Sequence, residues 1–356
     1  MAATHSTADK LEFAPLEVID LSLLNTPRRH EVITQVDKAC REIGFFAIVN
    51  FPAISREDVD RAFEISKNLF ALPLEEKKKF DMEARGKGNY FGYKAVGQQT
   101  LDSQGTPDGN EFFNTPKTDT WLLPQPEPIL SNREFLDSFL SRCHAICTEL
   151  LEIFAEVVEV PLAEGGKEFF KQYHRYQERS GDQLRMVRVQ SGGDESAEQL
   201  KMAAHTDFGT TTLVFSQPVM GLQIELNDGT WKYVRHHEGA IIVNIGDAMQ
   251  FWTNGYLRSN FHRVVRPPAH QNHLTRYSLV YFLRPENSVL LNPIKTPKTI
   301  QMPPAAHMET AVTAEEWIKL KVLSSLRSNV KSGEDLAKVN ARISATRGQD
   351  IKRAVM

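Results

Sequence analysis

Between Gln183 and Leu283 the chain never keeps one apolar periodicity for the roughly ten residues that distinguish a helix. It runs instead through LRMVRVQ, TTTLVFS, GLQIEL, WKYV, GAIIVNIG, MQFWT, HRVVRP and RYSLVYFL, short apolar or alternating stretches broken by Gly, Asn and Pro. Many short strands with turns between them predict an antiparallel sandwich or barrel. Asn227-Asp228-Gly229, between LQIEL and WKYV, marks a hairpin, because Asp-Gly tolerates the positive φ angles of a tight reversal. Gly246-Asp247 reads as another turn, ahead of a strand in MQFWT, and Asp247 as a turn residue instead of a metal ligand.

Inside this strand-rich stretch lies His205-Thr206-Asp207, followed by His262 and then by Arg276-Tyr277-Ser278. In a strand, residues i and i+2 point to one side, so His205 and Asp207 can reach one metal while Thr206 faces away. A bare His-x-Asp arises often by chance, usually on a surface strand. With His262 returned by later strands it becomes two imidazoles and one carboxylate, the facial triad of non-haem Fe(II) oxygenases, which leaves coordination positions open. Such a site favours a double-stranded β-helix, or jelly roll, as the architecture. Arg276 offers a rigid fork of donors for a carboxylate, and Ser278 a hydroxyl on the same strand face. Alone, an Arg-x-Ser would be read as a surface ion pair.

The stretches AAHTDFGTTTLVFSQPVMGLQIELNDGTWKYV, GAIIVNIGDAMQFWTNGYLRSNFHRVVRPP and RYSLVYFLRP resemble the isopenicillin N synthase-like family of Fe(II)- and 2-oxoglutarate-dependent dioxygenases. The resemblance extends to PLEVIDLSLL, ACREIGFFAIVNF, LFALPLEEKKKF, NYFGY and NEFFN, and so covers most of the chain. It implies that His205, Asp207 and His262 hold Fe(II), that Arg276 and Ser278 hold the distal carboxylate of 2-oxoglutarate, and that O₂ is the second co-substrate. The implied outcome is oxidation of a small organic molecule by hydroxylation, desaturation or oxidative cyclisation and rearrangement, in specialised-metabolite biosynthesis. An oxidase of the isopenicillin N synthase type working without 2-oxoglutarate, a 2-oxoglutarate-cleaving ethylene-forming type, and a catalytically silent jelly-roll binding protein are the alternatives. The intact set of five residues speaks against the last.

One departure from the family pattern stands in LRMVRVQS, where Val187 and Val189 replace an Asn-x-Tyr whose hydroxyl helps to hold 2-oxoglutarate. Arg185 shares their strand face by alternation and is a candidate for an anionic group of co-substrate or substrate; the plainer reading pairs it, or Arg188, with a nearby acid. Tyr90, Phe91, Tyr93, Glu111, Phe113, Phe208, Phe251 and Phe282 are candidates for the substrate pocket, although aromatics fill cores as readily as pockets. Their number suggests a small or medium apolar molecule.

The remaining features bound the setting. A chain of 356 residues is long enough for one large domain with helical decoration. It divides into a mostly helical region over 1–180, a jelly-roll core over 181–290 and a helical region over 291–356, packed as one unit. Helices are expected from about Arg28 to Gly44, from Ser55 to Leu72 with Ser55 and Asp58 as a capping-box variant, from about Asn132 to Val160, and in TAEEWIKLKVLSSLRSN. Residues from Gly86 to Gly109 read as a long loop. A formal net charge of −3 makes nucleic acid an unexpected partner. No apolar run reaches the length of a signal peptide or a membrane span, and three cysteines give no disulfide framework, so a cytoplasmic protein without a membrane partner is expected. Cys143 and Cys147, one helical turn apart around His144, lack the four-ligand pattern of structural zinc and read as packing.

Overall fold

Half of the strands in the larger sheet come from the chain before residue 180, the region expected to be mostly helical. The computed structural model describes residues 11–86, 89–102, 104–117, 123–192, 199–302 and 312–325. In order these form β1 (Val18–Asp20), α1 (Arg29–Glu42), β2 (Phe45–Val49), α2 (Arg56–Ala71), α3 (Leu74–Lys78), β3 (Gly92–Lys94), β4 (Glu111–Pro116), α4 (Glu127–Leu130) and α5 (Arg133–Val157). There follow β5 (Gln183–Val189), β6 (Leu200–His205), β7 (Thr211–Phe215), β8 (Leu222–Glu225), β9 (Trp231–Tyr233), β10 (Ile241–Ile245), α6 (Asp247–Trp252), β11 (His262–Val265), β12 (Arg276–Leu283) and α7 (Ala314–Ser325). The large sheet runs β1-β2-β10-β7-β12-β5-β4-β3 and the small one β6-β11-β8-β9. Apart from the parallel β1–β2 pair, the ladders are antiparallel.

Strand alternation divides the molecule into an inside and an outside. On the inner face of the large sheet Phe45, Ala47 and Ile242 pack with Ile224 of the small sheet, closing the sandwich. The outer face, including Phe46, Leu213, Phe215, Leu279 and Tyr281, is covered by the helices in one continuous apolar core. Phe139 of α5, for instance, lies 5.3 Å from Phe215 between ring centroids. In α1 the buried residues Val32, Val36, Ala39 and Cys40 recur at helical spacing, the stripe expected of a helix seated on a sheet. Cys143 and Cys147 are buried, unpaired packing residues of α5, and His144 Nε2 lies 2.7 Å from the His174 carbonyl. Burial pushes both thiols above their ordinary range.

Two expected elements changed type. MQFW belongs to α6 instead of a strand; Ala248, Met249, Phe251 and Trp252 of this helix are buried, and so short a run carries too little periodicity to tell helix from strand. The stretch from Gly86 to Gly109 contains β3, an edge strand paired with β4. The hairpin at Asn227-Asp228-Gly229 joins β8 to β9 with Gly229 at φ +81°. The end of TAEEWIKLKVLSSLRSN lies outside the described residues. Among the described residues no helix is long and apolar enough to cross a membrane.

The start of α2 is a full capping box: the Ser55 hydroxyl accepts from the Asp58 backbone N–H, and Asp58 accepts from the Ser55 N–H at 2.9 Å. Asp58 also receives both terminal nitrogens of Arg142 from α5, at 2.5 and 3.0 Å, which pins α2 to α5. The Arg142 guanidinium, with Ser55 assisting, holds the Asp58 carboxyl down at about 2. Asp58→Ala should therefore destabilise the protein at pH 7 by about 2 kcal/mol in urea denaturation. Because the folded-state pKa is depressed, that difference should shrink as pH falls from about 4 towards 2.

Candidate functional site

The candidate centre sits where the small sheet ends over the inner face of the large one. His205 closes β6 and His262 opens β11, and the two are direct partners in the antiparallel ladder. Their ring centroids are 4.2 Å apart. The strand ends at His205, so Asp207 is delivered by the bend that follows, with its carbonyl accepting the Asp247 N–H at 2.7 Å. Asp207 Oδ1 lies 3.9 Å from His205 Nε2 and 3.7 Å from His262 Nε2. One ligand atom from each residue falls within 4.8 Å of the others, suited to a single ion with bonds of about 2 Å. Among the described residues this is the one His, Cys, Asp and Glu cluster so arranged.

The surroundings assign each donor its role. His205 Nδ1 is 2.9 Å from the Ala203 carbonyl and His262 Nδ1 is 3.3 Å from the Asn260 carbonyl, contacts that suit Nδ1–H tautomers with Nε2 free to bind metal. Burial, with His262 beside it, pushes His205 down to about 4, so it is neutral at ordinary pH. Asp207 Oδ2 accepts from Thr212 Oγ1 at 2.7 Å and from Asn244 Nδ2 at 2.8 Å, both on the inner face of the large sheet. Burial alone would raise the Asp207 carboxyl, but the imidazoles and these two donors hold it below the usual carboxylate range. Side-chain exposure is 31% at His205 against 10% at His262 and 6% at Asp207, so the centre opens on the His205 side. Phe45 closes the other, its ring edge-on to His262 at 5.4 Å.

Asp247 lies outside the triad and underneath it. Its carboxylate accepts from Thr206 Oγ1 at 2.9 Å, Ser259 Oγ at 2.8 Å and Lys321 Nζ of α7 at 2.7 Å. It therefore ties together the two segments that carry the ligands and the last described helix. Trp317 of the same helix donates its indole N–H to the Phe208 carbonyl at 2.9 Å.

Arg276 and Ser278 share the inner face of β12, and Arg276 Nη1 donates to Ser278 Oγ at 2.5 Å. Arg276 is 5% exposed. Its Nε has no partner, and among the described residues no carboxylate pairs with it. Burial lowers its pKa only to about 10, so it remains a cation. Gly221 makes the space: a Cβ there would stand 3.1 Å from Arg276 Cδ and 2.8 Å from the Val265 carbonyl. Val189 pairs with Arg276 and Val187 with Ser278, so the ladder partners on this face are apolar.

Beside His205 opens a cleft of about 300 Å³ lined by Tyr90, Phe112, Asn114, Arg185, Phe208 and Arg284 among others. Tyr90 and Phe208 are thus in the wall, Phe91 stacks behind Tyr90 at 4.4 Å, and Phe282 lies beneath Arg185. Tyr93, Glu111 and Phe113 are corrected. Register pairs Phe112 with Val187 and Asn114 with Arg185 on the inner face, which sends residues 111 and 113 to the outer one. There Glu111 is a buried structural acid joined to Lys77, Tyr93 and Arg188. Phe251 is corrected as well, packing within α6 against Trp317 at 6.1 Å. Arg185 is in the cleft wall four residues along the ladder from the partner of Arg276, with Nε donating to Asn114 Oδ1 at 2.8 Å. Phe112, Asn114 and Arg284 were missed. Extending the alternation 276, 278, 280, 282 by one step would have found Arg284.

Replacing the donors behind Asp207 tests its positioning. Thr212→Val and Asn244→Ala should each weaken Mn(II) binding about 10- to 100-fold in calorimetry while the folded baseline in circular dichroism is kept.

Residues 16–132 match the family model described as non-haem dioxygenase in morphine synthesis N-terminal, and residues 181–285 match the 2OG-Fe(II) oxygenase superfamily. The chain is 31% identical over 305 residues to UPF0676 protein C1494.01 of Schizosaccharomyces pombe, covering 81% of this chain and 86% of that protein. It is 31% identical over 293 residues to proline hydroxylase buaE of Petromyces alliaceus, covering 78% and 89%. A crystal structure of full-length Neurospora crassa T7H with alpha-KG and 5-formyluracil shares the fold, with a TM-score of 0.72 at 22% identity over 90% of this chain and 99% of that one. The chain belongs to the 2OG-Fe(II) oxygenase superfamily and is a 2-oxoglutarate-dependent dioxygenase with a jelly-roll core, using Fe(II), 2-oxoglutarate and O₂.

Proposed function

We propose that His205, Asp207 and His262 hold Fe(II), that Arg276 and Ser278 bind the distal carboxylate of 2-oxoglutarate, and that the cleft beside His205 receives the molecule to be oxidised. The observation that carries the co-substrate assignment is the buried Arg276 cation with no acid to match it. A buried guanidinium without a counter-ion is costly, and a two-oxygen anion supplies what it lacks. The donor set fits the metal equally well, with two imidazoles and one carboxylate converging.

When bound, iron with 2-oxoglutarate and O₂ supplies an oxidant strong enough to take hydrogen from carbon. The chain's own residues do the placing. Thr212 and Asn244 fix the Asp207 carboxylate, the Ala203 and Asn260 carbonyls fix the imidazoles, and Arg276 with Ser278 sets the direction of the co-substrate. Val187 and Val189 offer no side-chain hydrogen bond, so the clamp rests on Arg276 and Ser278. The substrate belongs on the more exposed His205 side, among Tyr90, Phe112 and Phe208.

The biological setting we propose is oxidation of a specialised metabolite in the cytoplasm, a reading supported by the buried, unpaired state of all three cysteines. Succinate release that needs both Fe(II) and 2-oxoglutarate is the expected result with purified protein. Metal-dependent O₂ uptake without succinate would overturn it in favour of an oxidase drawing all its electrons from substrate. Arg276→Gln should raise KM for 2-oxoglutarate about a hundredfold, read from succinate formation.

A further inference from the structure

Arg185 and Arg284 place a second, unneutralised positive charge at the candidate centre, away from the Arg276 clamp. Arg185 spends Nε on Asn114 Oδ1 and lies 4.0 Å from the Phe112 ring centroid and 5.0 Å from that of Phe282. Arg284 donates Nη1 to the Gly181 carbonyl at 2.7 Å and lies 4.9 Å from the Tyr90 centroid and 5.6 Å from that of Phe282. Aromatic faces flank both guanidinium planes, and Arg284 also hydrogen-bonds the Tyr90 side chain, which leaves part of each guanidinium edge for a ligand.

The site is built. Arg284 is 4% exposed, and its Nε has no partner. Its side chain threads between two glycines: a Cβ on Gly181 would come within 2.7 Å of its Cδ, and one on Gly209 within 2.9 Å of its Cγ. Among the described residues no carboxylate forms an ion pair with either side chain; Asp182, which acts on Arg284 through space and accepts its backbone N–H at 2.7 Å, is itself paired with Lys117. Asp108, the acid in the cleft wall, is already paired with Lys94 and accepts the Gly97 N–H at 2.8 Å. Asp207 is turned to the triad, where iron offsets its charge. Burial lowers both guanidiniums, and Arg284 adds to the effect on Arg185, yet Arg185 at about 9 is still a cation at neutral pH. A buried and a half-buried guanidinium side by side oppose folding unless a ligand answers them, which points to a functional reason.

We infer that Arg185 and Arg284 bind a carboxylate of the substrate, so that the molecule oxidised is a small organic acid whose apolar body lies along Tyr90, Phe112 and Phe208. This rests on the proposed function, in which the same cleft receives the substrate. The anion fixes one end and the His205 side of the centre meets the carbon to be oxidised. A cleft of about 300 Å³ is at the small end of ligand sites and suits such an acid.

The test is calorimetric titration of the Mn(II)-loaded protein with saturating 2-oxoglutarate, using phenylacetate and 3-phenylpropanoate against their primary amides as probes. The acids should bind at least about tenfold tighter than the amides, a preference lost in Arg185→Met and in Arg284→Met while the Kd for 2-oxoglutarate stays within about twofold. Arg185→Lys and Arg284→Lys, which keep the charge, should retain part of the preference and serve if a methionine variant fails to fold. Equal binding of acids and amides, no binding of either at millimolar concentration, or an unchanged preference in the variants would overturn the inference. So would a loss of 2-oxoglutarate affinity parallel to the loss of acid binding, which would make these arginines part of the co-substrate clamp. Failure of Mn(II) or 2-oxoglutarate to bind the wild-type protein would instead sink the proposed function, and the acid-over-amide preference is then read on the apoprotein.

Discussion

A carboxylate with little water around it must stay ionised and aimed, and the rest of this centre depends on how that is done for Asp207. The large sheet supplies two neutral donors, Thr212 and Asn244, to one oxygen, leaving the other to face two imidazoles brought together by a ladder of the small sheet. Neither sheet alone makes the site. The sandwich has to close before the three donors converge, so the packing of Phe45, Ala47, Ile224 and Ile242 is also what positions the chemistry.

From this constraint follows the unequal treatment of charge around the centre. Acids away from the triad are matched, as Glu111 is by Lys77 and Arg188, and Asp247 by Lys321. Cations near the cleft and the clamp are left over: Arg276, Arg185 and Arg284 have no such acid among the described residues. Unmatched arginines that are buried, as Arg276 and Arg284 are, or half-buried, as Arg185 is, sit badly with stability alone and well with anionic ligands that arrive from solution. The two groups of arginines also separate along β12, with Arg276 at its start and Arg284 just beyond its end.

Much of this was legible in the chain because strand alternation is a strict rule, although Asp207 stands beyond the end of β6 and is aimed by the bend after it instead of by the strand. The positions of His205, Asp207, His262, Arg276 and Ser278 followed from spacing and family resemblance, and the structure brings the first three together. What alternation cannot supply is the sense of a strand whose neighbours are unknown. Phe112 and Phe113 look alike in sequence, and only pairing with Val187 and Met186 decides which faces the cleft. The same limit hid Asn114 and misplaced Tyr93 and Glu111. In α6 the obstacle was length, since so short a run carries too little periodicity. The membership of the strands before residue 180 in the large sheet is a long-range pairing that no local pattern records.

Lys321 gives the last described helix a share in the support of the candidate centre. Its ammonium answers Asp247, which in turn holds Thr206 between two ligands and Ser259 shortly before the third. Val322, its neighbour, forms part of the cleft wall. Roof and hearth are thus one cooperative unit: were the helix to lift away, Asp247 would be stranded as an uncompensated interior charge at the junction of the segments that carry His205, Asp207 and His262, and the penalty would fall on the support of the candidate centre.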